Sequence, residues 1–144
     1  MKVFVSGCFD LLHSGHIKFL TEAAKYGDLY VSVGSDKTIN ELKHKDPIYN
    51  EKERKFMLEA LRCVKEVFIG SGHGILDFIP DLEKVKPDIF FVNSDGDSKE
   101  KREYMKKNGI KYVVMERVPE EGLPVRSTSD LRQILQKGKE NDRG

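Results

Sequence analysis

The chain has 144 residues, and its 25 Lys+Arg nearly balance its 24 Asp+Glu to leave a formal net charge of +1. No whole-chain attraction to nucleic acid is therefore expected, and no apolar run approaches the ~18 residues of a membrane span. The length suits one domain with a proper core. The two cysteines, Cys8 and Cys63, form no disulfide framework. Met1 leads straight into a strand signal with no signal peptide ahead of it, so a cytoplasmic protein with reduced thiols is expected.

The elements alternate along the chain. Residues 2–6, Lys-Val-Phe-Val-Ser, carry the β-branched and aromatic signal of a first strand. Residues 17–25 have helical apolar spacing. Gly27-Asp28 stops that helix, and residues 29–33 read as a second strand. Residues 34–45 read as a loop. A helix is predicted over 51–62, capped by Asn50, with Phe56, Met57, Leu58 and Leu61 as its apolar face. A third strand follows at 66–69 and a helix over 75–86, interrupted or restarted at Pro80. Residues 88–92, Asp-Ile-Phe-Phe-Val, form a continuous apolar run, the pattern of a central strand covered on both faces. A charged helix spans 99–108 and ends at Gly109, a fifth strand spans 111–115, and a last helix spans 129–137. Residues 1–137 thus read as a single domain, and the polar tail 138–144 is expected to fray. Five strands alternating with helices predict an α/β fold, a Rossmann-like doubly wound five-stranded parallel sheet. Right-handed crossovers then gather the loops after the strands on one rim.

The junction between the first strand and first helix is the most informative stretch: Gly7-Cys8-Phe9-Asp10-Leu11-Leu12-His13-Ser14-Gly15-His16. Ligands of parallel sheets bind at such junctions, and the free N–H groups of a helix start favour an anion. His13 and His16 are three residues apart and can face one ligand. Gly15 between them lets a phosphate approach the backbone. A zinc reading of Cys8, His13 and His16 lacks the paired spacing of known zinc sites, so no metal ligands are expected.

This stretch resembles the signature of the cytidylyltransferase-like nucleotidyltransferases, with His13-Ser14-Gly15-His16 as their His-x-Gly-His motif. Arg126-Ser127-Thr128-Ser129, near the other end, resembles their second motif. The resemblance covers residues 1–135. It extends to glycerol-3-phosphate cytidylyltransferase, to the heptose-1-phosphate adenylyltransferase domain of lipopolysaccharide core biosynthesis, and to archaeal-type FAD synthetase.

The resemblance implies roles for particular residues. His13, His16, Lys43 and Arg126 would be catalytic. Gly7, Phe9, Asp10, Gly15, Asp95, Ser127, Thr128 and Ser129 would bind the nucleotide. Lys45, Arg54 and Arg117 would bind the acceptor. The spacing does not choose between Lys43 and Lys45, nor between Arg117 and Arg126, because an extra Leu-Pro-Val-Arg segment follows Glu121-Gly122 where relatives read Arg-Thr-Glu-Gly-Ile-Ser-Thr-Ser. The loop 93–97, Asn-Ser-Asp-Gly-Asp, also departs from the family's Gly-Asp-Asp or Gly-Gly-Asp.

The implied reaction joins a nucleoside monophosphate from CTP or ATP to a small phosphorylated acceptor, a sugar or polyol phosphate, with release of pyrophosphate. Mg²⁺ would ride on the triphosphate. A homodimer, without nucleic-acid or membrane partners, is the implied assembly. The alternatives are adenylyl transfer to FMN and a nucleotide-binding module without turnover.

Overall fold

The computed structural model describes residues 1–116 and 119–143, with side chains up to Lys137. Five parallel strands form one sheet: β1 (Lys2–Gly7), β2 (Asp28–Val33), β3 (Val64–Ile69), β4 (Ile89–Asn93) and β5 (Lys111–Met115), in the order β3-β2-β1-β4-β5. The order reverses between β1 and β4, the point at which open α/β sheets bind ligands. Pairing there is short. β1 matches β2 as far as Gly7↔Val33, but matches β4 only at Val3↔Ile89 and Phe4↔Phe90. The carboxyl end of β1 is thus paired on one side only, and a crevice opens beside it.

Six α-helices connect the strands: α1 (Ser14–Ala24), α2 (Asp36–Lys43), α3 (Glu51–Glu59), α4 (Ile79–Val85), α5 (Lys99–Lys107) and α6 (Thr128–Arg143). They cover both faces of the sheet. Val3, Val5, Val31, Ile89 and Phe91 point to one face and pack with Phe19 and Leu20 of α1 and Leu58 of α3. Phe4, Phe90 and Val92 point to the other and pack with Phe78, Leu82 and Met105. This alternation explains the continuous apolar run of β4, because each successive residue meets a different helix layer. A Phe91→Ala change would cost ~3–5 kcal/mol by the usual cavity cost.

The expected fold class is found, and local signals account for most helix ends. The Asn50 side chain caps α3 by accepting from the Glu53 N–H at 2.9 Å. Pro80 sits in the first turn of α4, where its missing N–H is not needed, after a short 3₁₀ turn over Gly74–Leu76. Gly109 follows α5 with φ 69°, the left-handed conformation glycine adopts readily.

Four expectations need correction. The stretch 34–45 contains a helix, α2, because Ser35 accepts from the Thr38 N–H at 3.1 Å and Thr38 and Ile39 are buried. The third strand starts earlier, at Val64. The helix over 51–62 ends at Glu59, and its inner face is Arg54 and Leu58 with Phe56 outside. Residues 54 and 58 share a face at 3.6 residues per turn, and residue 56 lies on the opposite one. α6 continues to Arg143 instead of ending at Lys137.

Candidate active site

A cavity of about 520 Å³ opens at the carboxyl ends of the strands. Gly7, Phe9, Asp10, His13, Gly15, His16, Lys43, Asp95, Arg126, Ser127, Thr128 and Ser129 all contribute to its wall. The two sequence motifs, more than a hundred residues apart, therefore meet across one cavity. Lys45 lies in an adjoining recess of about 320 Å³ shared with Cys8, Asp10, Lys43 and Arg132. Arg117 lies outside the described residues.

The histidines are placed by the helix they start. His13 caps α1: its Nδ1 accepts from the Gly15 N–H at 3.1 Å. His16 Nδ1 accepts from the His13 N–H at 3.2 Å, so each side chain occupies the other's turn as in a capping box. The rings stack with centroids 3.8 Å apart. A nitrogen that accepts cannot carry the proton, so both neutral imidazoles hold theirs on Nε2. Gly15 is required by this packing, since a Cβ there would lie 2.9 Å from His13 Cε1.

The loop before α1 is strained. Phe9 (φ 52°) and Leu11 (φ 49°) occupy the left-handed region, which costs roughly 1–3 kcal/mol each for side-chain-bearing residues. Burial of Phe9, edge-on to His16 at 5.5 Å between centroids, and the bonds of Asp10 hold them there. Gly7 leaves room for the Phe9 ring, which would come within 2.9 Å of a Cβ at residue 7.

Asp10 is buried and its carboxylate is occupied. Oδ2 accepts from the Ile48 N–H at 2.7 Å and from Arg132 at 2.9 Å, and Oδ1 accepts from the Tyr49 N–H at 2.9 Å. Burial works to raise its pKa. The backbone N–H groups of Tyr49 and Ile48 and the Arg132 guanidinium outweigh that and hold it below the ordinary carboxylate value. The Asp10 carbonyl accepts from Thr128 Oγ1 at 2.6 Å. Asp10 thus ties the signature loop to residues 48–49 and to α6, and what it offers the cavity is position instead of a free carboxylate.

Arg54 departs furthest from its expected place. It is 1% exposed and does not line the cavity. Nε donates to the Tyr49 carbonyl at 2.9 Å, Nη1 to the Cys8 and Gly34 carbonyls at 2.9 and 2.7 Å, and Nη2 to Asp36 Oδ1 at 2.8 Å. The guanidinium lies beneath the loops after β1 and β2 and fastens them together. Expected at an acceptor phosphate, it acts instead as a tether.

At the start of α6 two hydroxyls are likewise engaged: Thr128 with Asp10, and Ser127 Oγ as acceptor from the Asp130 N–H at 3.1 Å. Ser129 keeps its hydroxyl without a hydrogen-bond partner among the described residues. Lys18 of α1 bonds Glu120 at 2.9 Å, which holds the segment before α6 against α1. The turn after β4 is fixed by Asn93 Oδ1, accepting from the Gly96 N–H at 3.1 Å.

Three polar residues at this rim carry no local sequence signal. Arg132 lies one helical turn after Thr128, so the face that brings Thr128 to Asp10 brings Arg132 as well. Asp77 and Lys101 come from separate elements and meet the site only through the fold.

Comparison with known proteins agrees with this geometry. The family model described as cytidylyltransferase-like matches residues 4–134. An FAD synthase from Aciduliprofundum boonei is 43% identical over 118 residues, covering 80% of this chain and 76% of that protein. The bifunctional protein HldE of Helicobacter pylori is 43% identical over 100 residues, covering 68% of this chain but 21% of that protein. Among solved structures, a lipopolysaccharide core biosynthesis protein from Thermoplasma volcanium superposes with a TM-score of 0.68 at 31% identity, covering 84% of this chain and 98% of that one. The chain belongs to the cytidylyltransferase-like family and is a nucleotidyltransferase.

Proposed function

We propose that the chain transfers the adenylyl group of ATP to a small phosphorylated acceptor. The observation that carries the transfer chemistry is the stacked His13–His16 pair, each ring accepting a backbone N–H through Nδ1, sharing a cavity with the α6 N-terminus. An acceptor phosphate oxygen attacks the α-phosphorus, the bond to the β-phosphate bridging oxygen breaks, and pyrophosphate leaves. The attacking oxygen is already anionic, so no general base is needed. Catalysis is positioning and charge stabilisation. The Nε2–H groups of His13 and His16 donate to phosphate oxygens as charge builds. Backbone N–H groups and the Ser129 hydroxyl at the start of α6 hold the outer phosphates. Lys43, Lys45 and Arg126 add positive charge from the rim.

ATP is favoured over CTP by the FAD synthases among the relatives, whose product contains an adenylyl group. The lipopolysaccharide-core neighbour supports a sugar phosphate as acceptor, and the FAD synthases support FMN. Mg²⁺ enters as part of the substrate. No group of three His, Cys, Asp or Glu side chains among the described residues is arranged to hold a metal, and Mg²⁺ prefers phosphate oxygens and water.

Among the described residues no helix is long and apolar enough to cross a membrane. The free thiols Cys8 and Cys63 support a reducing compartment, the cytoplasm. Exposed Phe56, Ile134 and Leu135 offer apolar surface for the homodimer that the family resemblance implies. Pyrophosphate release with ATP and CTP against a panel of sugar phosphates, polyol phosphates and FMN tests the reading. Release with no pair would overturn it.

A further inference from the structure

The short segment between α2 and α3 carries Lys45, and Lys43 ends the helix before it. Residues 41–50 are exposed or half-buried throughout, so burial does little to fix where the two lysines stand. Polar ties do that instead. The chain turns at His44, which adopts the left-handed conformation (φ 55°) and donates its N–H to the Asn40 carbonyl at 2.8 Å. Asn40 Nδ2 donates to Asp46 Oδ1 at 2.9 Å. Further on, the Ile48 and Tyr49 N–H groups reach the Asp10 carboxylate.

Arg132 closes this set from the side of α6. Its Nη2 donates to Asp10 Oδ2 at 2.9 Å and to the Asp46 carbonyl at 3.0 Å. A single nitrogen thus joins three segments that are far apart in the chain: the signature loop, the residue after Lys45, and α6. The tie to Asp10 is duplicated, because Thr128 already holds α6 to that residue and Ile48 and Tyr49 already bond its carboxylate. The bond to the Asp46 carbonyl is not, since no other described residue donates to that oxygen. It sets the distance between the lysine segment and α6.

Arg132 is half-buried and its charge is met by the buried carboxylate of Asp10. It is therefore poorly placed to serve as a cation for phosphate. Lys43 and Lys45 are exposed and line the recess that Arg132 also lines.

We propose that Arg132 is a positioning residue that latches the lysine segment against α6, so that the groups meeting the acceptor and those meeting the outer phosphates stand at a fixed separation. This rests on the transfer reaction and the lysine roles proposed above. Transfer requires the attacking oxygen to be in line with the α-phosphorus, and a misplacement of ~1 Å caused by a change far from the chemistry can cost ~10²-fold.

The test pairs amide hydrogen exchange with kinetics. In the protein without substrates, Arg132→Met should speed exchange at Ile48 and Tyr49 ~10- to 100-fold, the range for a lost hydrogen bond to a charged group. The amides of β1 and β4 should keep their rates and show that the fold is intact. Arg132→Lys should restore most of the protection, because both bonds leave from one nitrogen that an ammonium can replace. Kinetics use ATP with FMN, glycerol 3-phosphate and glucose 1-phosphate, taking the acceptor that releases pyrophosphate fastest. Arg132→Met should lower kcat/KM for that acceptor ~10- to 100-fold and leave ATP affinity, measured by calorimetry, within about threefold. The double variant Lys43→Met/Lys45→Met should lose at least as much. Adding Arg132→Met to it should cost less than about twofold more, because residues that act as one unit are not additive.

Losses that multiply in the triple variant would mean that Arg132 meets the acceptor itself and would overturn the proposal. So would unchanged exchange at Ile48 and Tyr49, a fall in ATP affinity as large as the loss with acceptor, or a double lysine variant as active as the parent. Each of these leaves the transfer reaction standing. Absence of pyrophosphate release from the unmodified protein with every acceptor would overturn the transfer reading, and the exchange rates would still decide whether Arg132 holds the segment.

Discussion

Replacing Arg54 decides whether it is a tether or a ligand for substrate. Arg54→Met keeps the stem and removes the guanidinium, which leaves the carbonyls of Cys8, Gly34 and Tyr49 and one oxygen of Asp36 without their donor. Removing one partner of a buried charge pair costs ~3–5 kcal/mol. Asp36 is 39% exposed and recovers some hydration, but the carbonyls lie under the loops, where each lost bond costs ~1–3 kcal/mol before relaxation. Relaxation of the loops keeps these costs from adding in full, so ~3–5 kcal/mol is expected. For a chain of this size each kcal/mol moves the melting temperature by roughly 2–4 °C, giving a fall of roughly 6–20 °C. Arg54→Lys should lose most of the same stability, because one ammonium cannot reach four acceptors around a planar fork. The measurement is a calorimetric or urea melt of both variants, with acceptor and ATP kinetics taken well below the lowered melting temperature. A variant that melts like the parent but has a raised KM for the acceptor alone would refute this reasoning and return Arg54 to the acceptor phosphate.

Other perturbations separate the remaining roles. His16→Ala should lower kcat ~10²–10³-fold, as for loss of one preorganised donor, while ATP affinity measured by calorimetry changes only a few-fold; loss of ATP binding instead would make the imidazole a ground-state ligand. Asp10 has a lowered folded-state pKa, so its contribution to stability is present above the unfolded carboxylate value near 3.8 and is lost as pH falls through the folded one. Asp10→Asn should therefore flatten the acid limb of a stability-against-pH curve, and an unchanged limb would rule the clamp out. The Tyr112 phenol donates to Asp97 Oδ1 at 2.9 Å, and burial followed by that bond pushes its pKa up to about 12. Its contribution should be complete below about pH 10 and disappear as pH rises through about 12. A spectrophotometric titration of the five tyrosines should show a last step near pH 12 that Tyr112→Phe removes, while Tyr104, also raised by burial, still ionises late in that variant.

The sequence by itself determined what depends on near neighbours. Strand and helix periodicity sets the alternation of elements, and the apolar run at 89–92 marks the doubly covered strand. His13 and His16 meet because they are three residues apart at a helix start, and Asn50, Pro80 and Gly109 act within one turn of where they stand. Both family motifs were legible for the same reason, since each is a single local segment at a strand-to-helix junction.

Tertiary structure alone decided which polar groups the fold consumes and which it leaves to a ligand. Arg54 resembles a substrate arginine and looks on helical spacing like a surface one, yet it is buried because the loops after β1 and β2 need a donor beneath them. Asp10 finds Ile48, Tyr49 and Arg132, and Asp77 and Lys101 face one cavity from elements separated by a strand. None of these has a signature, because buried polar groups are paired through space, and the chain order of five strands says nothing of which loop carbonyls a guanidinium will find.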